Sequence, residues 1–507
     1  MMKTTKTGMR HSVIVALAAV QLVCGKTLAQ ENWGADRSRP LVTIDQVGAG
    51  ALPAEIAPIE APFPMPQLQK PTFPALTLDI SKRGARPGVN ATKVIQKAID
   101  DVSRRGGGTV VVPAGVWQTS RLTLKSNVNL RLAEGSELHF GGRAEDFLPA
   151  VFTRVEGIEV MSSGGFIYAN GAENIAVTGK GKIVGPPKDA PVRTLSGPKG
   201  VVEVAIDQDS PVETRIYDGV DGRYFYKPKV LCLVNCKNVL IEEISIAQCV
   251  TWNIVPIYCD GVIIRGISVE SVGIPTGDGI DIESSRNVLI EYSTLSCGDD
   301  CFTLKSGRDQ DGRRVNRPTE NVVVRYCLAR RGHGAITCGS ETAGFIRNLY
   351  LHDCVFDGTD RGIRFKTRRP RGGGGENLYF ERVLMTRGGC SMEWDLLGSA
   401  TYVGELAARI PLRAVNELTP SFSNIFIRDL EIEQTRQFIV ANCIPEMPLT
   451  NVLIENVRVN CGRTFRILDV KDFTMRNVQI NAKDKTMEVT NAQNLEFDNV
   501  TFNFAFE

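Results

Sequence analysis

The sequence predicts an all-β protein wound as a parallel β-helix, with one short helix capping its N-terminal end. The first observation is a repeat in which Asn precedes alternating apolar residues. It recurs as NIAV at Asn174, NVLI at Asn238 and Asn287, NVVV at Asn321, NLYL at Asn348, NLYF at Asn377, NIFI at Asn424, NVLI at Asn451 and NLEF at Asn494, with degenerate copies at Gly261 and Asp472. The second is spacing: neighbouring copies stand mostly 21 to 34 residues apart. Propeller blades need a longer period, and leucine-rich repeats need a Leu framework that is absent. The third is periodicity, because each copy holds short period-two strands with almost no helical pattern between them. Such units bury their apolar faces by stacking coil on coil at about 4.8 Å. The long gaps between Asn174 and Asn238 and between Asn377 and Asn424 are expected to be loops that shape a cleft.

Taken in chain order, residues 1–29 read as a signal peptide. A basic start (Lys3, Lys6, Arg10) leads into an apolar run too short for a membrane span and then to small residues ending at Ala29. Export to a periplasmic or extracellular space follows as the expectation, with Cys24 a possible lipid site. Residues 30–75 are rich in Pro and Ala and predict an extended leader or linker. Residues 76–507 are expected to form the β-helix domain. Its cap is the segment ATKVIQKAIDDVSRR, started by Asn90 or Thr92, with Val94, Ile95, Ala98, Ile99 and Val102 on one face. The segment GGGTVVVPAGVWQT then turns into a strand.

A chain of 507 residues exceeds one compact domain, but a solenoid grows without widening its core. The formal charge is +2, and residues 30–507 carry 55 basic against 57 acidic side chains, because residues 1–29 hold four basic residues and no acid. That balance argues against nucleic acid or a membrane surface as partner. Twelve of the 13 cysteines lie at Cys232 or beyond, many at apolar-alternating positions, and are expected to pack as small hydrophobes. No Cys or His pair has zinc-site spacing, so neither a metal nor a cofactor is expected. Nothing in the sequence sets an oligomeric state.

Chemistry enters when four segments are laid in one register: PTGDGIDIE (275–283), SCGDDCFTLK (296–305), RRGHGAITCG (330–339) and TDRGIRFK (359–366). Ile280, Phe302, Ile336 and Ile363 then point inward together, as do Ile282, Leu304, Cys338 and Phe365. Asp278 and Asp300 share an outward column, Asp299 and His333 the next, and Arg364 and Lys366 project two coils on. Glycosidic cleavage needs one protonated acid and one carboxylate that activates water or attacks carbon. Crowded carboxylates cannot all ionise, so one is expected to keep its proton. Asp299 is expected to be that acid, with Asp278 and Asp300 holding water and His333 tuning Asp299. Arg364 and Lys366 suit an anionic sugar, and Arg308, Arg331 and Arg361 are further candidates for substrate binding.

These segments resemble the polygalacturonases of glycoside hydrolase family 28 from about Leu78 onward. The family's four signatures correspond to Thr276-Gly277-Asp278, Gly298-Asp299-Asp300, Gly332-His333-Gly334 and Arg364-Phe365-Lys366. The resemblance implies a right-handed β-helix and metal-independent, inverting hydrolysis of galacturonide linkages in pectin. It also implies pectic polysaccharide or oligogalacturonide as the partner. Two departures stand out. Thr276-Gly277 replaces Asn-Thr, which leaves rhamnogalacturonan as an alternative substrate. An insertion at 307–318, rich in Arg308, Arg313, Arg314 and Arg317, resembles bacterial exo-acting members, and with the loop at 395–422 it is expected to close one end of the cleft. A pectate lyase and a non-catalytic polysaccharide binder remain the other readings.

Overall fold

The computed structural model describes residues 39–195, 204, 206 and 210–504; the expected signal peptide and Cys24 lie outside them. The chain is a right-handed parallel β-helix in which every coil-to-coil pairing is parallel. Apart from two isolated bridges, Asp218 with Phe225 and Ile444 with Met447, the one antiparallel strand pair among the described residues is a hairpin of Val151–Val155 and Ile158–Ser162. No described helix is long and apolar enough to cross a membrane.

The repeated asparagines explain the register. All nine have φ between +51° and +57°, the left-handed conformation that Asn tolerates better than other side chains. Each therefore turns a corner. Their amides stack into a ladder: Asn321 Nδ2 donates to Asn287 Oδ1 at 3.2 Å, and Asn348 Nδ2 donates to Asn321 Oδ1 at 3.0 Å. Asn451 donates to Asn424 at 2.7 Å and Asn424 to Asn377 at 3.1 Å. At the degenerate copy Gly261 takes the corner, φ +72°, while Asp260 Oδ1 accepts from Asn287.

Inside the coils the two predicted inward columns are present. Ile280 pairs Phe302, Phe302 pairs Ile336 and Ile336 pairs Ile363; the second column runs Ile282, Leu304, Cys338, Phe365 and on to Trp394. All are buried, and the Phe365 and Trp394 rings stack at 5.0 Å. The twelve cysteines among the described residues are free thiols, all buried. The capping helix spans Thr92–Arg104 and buries Ile95, Ala98, Ile99 and Val102, with Val94 at the edge. Its N-cap is Ala91, not Asn90 or Thr92. Asn90 Oδ1 nonetheless accepts from the Thr92 N–H at 3.0 Å, while the Thr92 hydroxyl accepts from the Ser120 N–H.

Residues 39–75, expected as an extended leader or linker, run along the outside of the coils in continuous contact. Val42 and Val47 pack on Leu328 and Val355, and Ile59 packs among Leu289, Val323, Tyr350, Tyr379 and Phe426. Buried Arg265 donates to the Pro53 and Ala54 carbonyls, and Arg325 to those of Ala57 and Pro58 at 2.8 and 2.9 Å. Glu291 lies between the two guanidiniums.

Asn321→Ala removes two ladder bonds and leaves an ordinary side chain at φ +56°, so it should lower unfolding free energy by about 2–3 kcal/mol. Asn321→Gly loses the same bonds without the conformational strain and should cost about 1 kcal/mol less. Urea unfolding of the two variants checks this; equal losses would mean that the left-handed corner does not select the residue.

Candidate active site

The outward residues of successive coils build the site. Asp281, Thr303, Thr337, Arg364 and Glu393 form one column, and Glu283 pairs Lys305 in the next but one. The expected set converges beside them. Lys366 Nζ reaches Asp300 Oδ2 at 2.7 Å, and Arg364 Nη1 stands 3.5 Å from Asp300 Oδ1. Arg364 Nη1 also lies 3.1 Å from His333 Nδ1, which is in turn 3.5 Å from Asp299 Oδ1. Because a guanidinium only donates, His333 Nδ1 is placed to accept from Arg364. The His333 N–H donates to the Asp299 carbonyl at 2.9 Å, which keeps the two residues in step.

The three carboxylates differ in surroundings. Asp300 is fully buried, which opposes ionisation, but Lys366, Arg364 and Lys305 outweigh this and hold it well below the usual carboxylate range. Asp278 is pushed well above that range by burial first, then by the charges of Asp281, Asp299 and Asp300. Asp299 is the open one, its side chain 29% exposed to the cleft. Of the three, Asp278 is the one that burial biases toward its neutral form. Asn253, from the preceding coil, donates Nδ2 to the Asp278 carbonyl at 2.7 Å, restoring an amide beside the aspartate that Thr276-Gly277 does not supply. Gly277 is required sterically: a β-carbon there would lie 2.9 Å from the Ile274 carbonyl oxygen.

Several site residues were not singled out from the sequence. Lys305 Nζ stands 3.3 Å from Glu341, 3.5 Å from Asp281 and 3.9 Å from Asp278, and 4.6 Å over the Trp252 ring. Burial raises Asp281 to about 8, against the pull of Lys305. Asp281, Glu283 and Lys305 lie in the aligned segments at alternate outward positions, so full use of the period would have found them. Glu341 and Trp252 carry no such signal. Asp278 Oδ1, all four carboxylate oxygens of Asp281 and Glu283, and the hydroxyls of Thr303 and Thr337 are buried without a hydrogen-bond partner, and Lys305 supplies the charge that faces Asp281.

The other predicted arginines separate. Arg308 ion-pairs with Glu156 at 2.9 Å at the hairpin tip. Arg313 meets Glu417, Arg314 meets Glu159 and Asp311, and Arg317 lies over Tyr258. The insertion is a helix, Asp309–Val315, and its cations hold the wall together instead of projecting into the cleft. The hairpin is pinned over the floor by Arg154, which donates to Ser284 Oγ at 2.8 Å, and by Tyr258, which donates to Glu159 at 2.7 Å. The segment after Asp395 joins this wall through Glu417 and through the Leu406 and Ala408 carbonyls, which accept from Arg369. Arg361 pairs Glu393 at 3.1 Å beside Arg364, and Arg331 is exposed on the coil before it.

Although sequence spacing shows no metal site, ligand atoms of Asp299, Asp300 and His333 lie within 4.8 Å of one another. Arg364 and Lys366 already satisfy Asp300 and His333 Nδ1 from that side. A resident dication would have to displace both cations, so the donor set does not fit one.

Residues 222–389 match the family model of glycosyl hydrolases family 28. A probable polygalacturonase of Vitis vinifera is 26% identical over 73% of this chain and 71% of its own length. An exo-poly-alpha-D-galacturonosidase of Dickeya chrysanthemi is 28% identical over 58% of this chain, which spans about half (52%) of that enzyme. The crystal structure of a hyperthermoactive exopolygalacturonase from Thermotoga maritima superimposes with a TM-score of 0.71 at 28% identity, covering 82% of this chain and 93% of that one. The family match falls on the coils that carry Asp278 through Lys366, and over residues 222–389 the chain, a glycoside hydrolase, is similar to glycosyl hydrolases family 28.

Proposed function

We propose that this chain is an exported, exo-acting, inverting polygalacturonase that removes units from the ends of pectic galacturonan. The observation that carries the end-cutting reading is the wall. The hairpin 151–162, the helix Asp309–Val315 and the segment 396–420 are locked to one another and to the floor by ion pairs, and they cover the site from one side. A chain can be threaded through an open groove, but only its end enters a walled chamber. The names of the Dickeya and Thermotoga relatives support the same mode, and the reading of residues 1–29 as a signal peptide supports export.

In this mechanism Asp299, open to the cleft, protonates the glycosidic oxygen as the bond to the anomeric carbon breaks. A water held between Asp278 and Asp300 attacks that carbon from the opposite face, and its proton passes to Asp300, which Lys366 and Arg364 keep ionised. Asp278, protonated, donates to the water without repelling its neighbour. Arg364 and Lys366 also present positive charge to the sugar carboxylate.

Viscometry set against reducing-end release on polygalacturonan tests the mode. The expected result is steady release with little early loss of viscosity; a rapid fall at about one percent cleavage means an open groove and an endo enzyme. Products from rhamnogalacturonan alone would transfer the assignment to that backbone.

Lys366→Met removes the nearest cation from Asp300 and so disfavours its charge. Its pKa rises, and the acid limb of the kcat/KM profile should move up by about one pH unit. Lys366→Arg should leave the limb near the wild-type position. A limb unmoved in Lys366→Met would remove Asp300 from the role of base.

Exhaustive chelation should leave turnover intact, since Arg364 and Lys366 occupy the place a dication would need. Loss of activity that calcium restores, with unsaturated products absorbing in the ultraviolet, would replace hydrolysis by elimination.

A further inference from the structure

Away from the wall, toward the C-terminal coils, the cleft stays open and its rim is cationic. Arg361 pairs Cys390, Cys390 pairs Gln437 and Gln437 pairs Arg463, so these four stand in one column on successive coils. Arg463 thus lies three coils beyond Arg361, about 14 Å at a coil rise of about 4.8 Å. Arg436, beside Gln437, and Arg331, on an earlier coil, flank the column, and both are exposed together with Arg463. Two hollows of about 590 and 490 Å³ run along this rim and share Asp360, Gly389 and Arg436.

The wall cations Arg308, Arg313 and Arg314 are answered by acids. Among the described residues the side chains of Arg331, Arg436 and Arg463 make neither a hydrogen bond nor an ion pair. Among the acids along the rim, Glu393 is taken by Arg361 and Arg364, and Asp484, which accepts from Thr486, lies in the field of Arg463 without forming an ion pair with it. Asp360 is the remaining carboxylate in both hollows. The β-helix itself sets the interval between cations, repeating them along the axis on which a bound polymer would lie.

We propose that Arg331, Arg436 and Arg463 form a lane that binds the carboxylates of the polyuronate chain beyond the bond being cut. The inference rests on the galacturonan reading above and extends it to the length of chain the enzyme holds. A guanidinium meets a carboxylate in a two-pronged geometry that neutral sugars do not offer. Cations repeated at whole-coil intervals along a linear polyanion therefore favour long acidic chains over short or neutral ones. The lane lies outside the residues that carry the chemistry, so it acts on retention and not on the chemical step.

The double variant Arg436→Ala/Arg463→Ala tests it with the full chain. Native electrophoresis through gels containing polygalacturonate reads binding without turnover, with gels containing neutral dextran as control. Retardation by polygalacturonate should weaken by about threefold or more in the variant and should weaken with added salt in the wild type. Dextran should retard neither protein, and kcat/KM on digalacturonide should stay within about twofold of wild type. Unchanged retardation in the variant, no retardation of the wild type, or equal losses on dimer and polymer would each overturn the lane. A wild type that is retarded through these arginines yet cuts no galacturonan would keep the lane and overturn the hydrolytic assignment. A wild type that trims polygalacturonan while the variant is retarded as strongly would do the reverse.

Discussion

Everything in this molecule depends on coils that stack without slipping, and the left-handed asparagine corner is what prevents the slip. A parallel strand displaced by one residue would turn its apolar set outward and its polar set inward. The asparagine side chain answers this in two ways, since it tolerates the corner's backbone and its amide both donates and accepts. Only such a group can bond to the coil before and the coil after. Where Asp260 replaces it, the carboxylate accepts from Asn287 and donates nothing onward, and glycine takes over the corner. Asp278 above Asp300 and Asp299 above His333 follow from that regularity, because no local motif could align residues so far apart in sequence.

The site departs from ordinary stability rules in a way that suits its chemistry. Buried carboxylates without partners are costly, yet Asp278, Asp281 and Glu283 lie in a row under the hairpin. They are tolerated because Lys305, Arg364 and Lys366 sit among them and because burial pushes all three acids toward their neutral forms. The result is a sharp division between near neighbours: the surrounding cations favour the charged form of Asp300, while burial favours the neutral form of Asp278. A water between two such groups meets both an acceptor and a donor, an orientation that two equal carboxylates would not impose.

The coils and the two inward columns could be read in the sequence because period-two alternation is local and repeats. The catalytic set could be read because it falls at fixed offsets from those columns. What escaped was set by distance in the chain. The insertion's arginines look free to bind a ligand, but the acids that claim Arg308 and Arg314, Glu156 and Glu159, lie about 150 residues earlier on a hairpin with no repeat signature. Asn253 likewise takes its place beside Asp278 only once adjacent coils are stacked. The bias of Asp278 toward its neutral form depends on burial, which sequence alignment of the coils does not measure.

The leader carries a temporal consequence. Its carbonyls at Pro53, Ala54, Ala57 and Pro58 are held by guanidiniums that follow them by more than 200 residues. In synthesis or export the leader emerges first, yet its seat exists only after the coils from Arg265 to Arg325 have wound. It therefore closes last, bridging several coils as a splint that forms over a finished stack, and contacts of such long range slow the final consolidation of the fold. Once seated, it makes the fraying of any single coil beneath it a concerted event, so the middle of the solenoid, where Asp278, Asp299 and Asp300 reside, opens less readily than its ends.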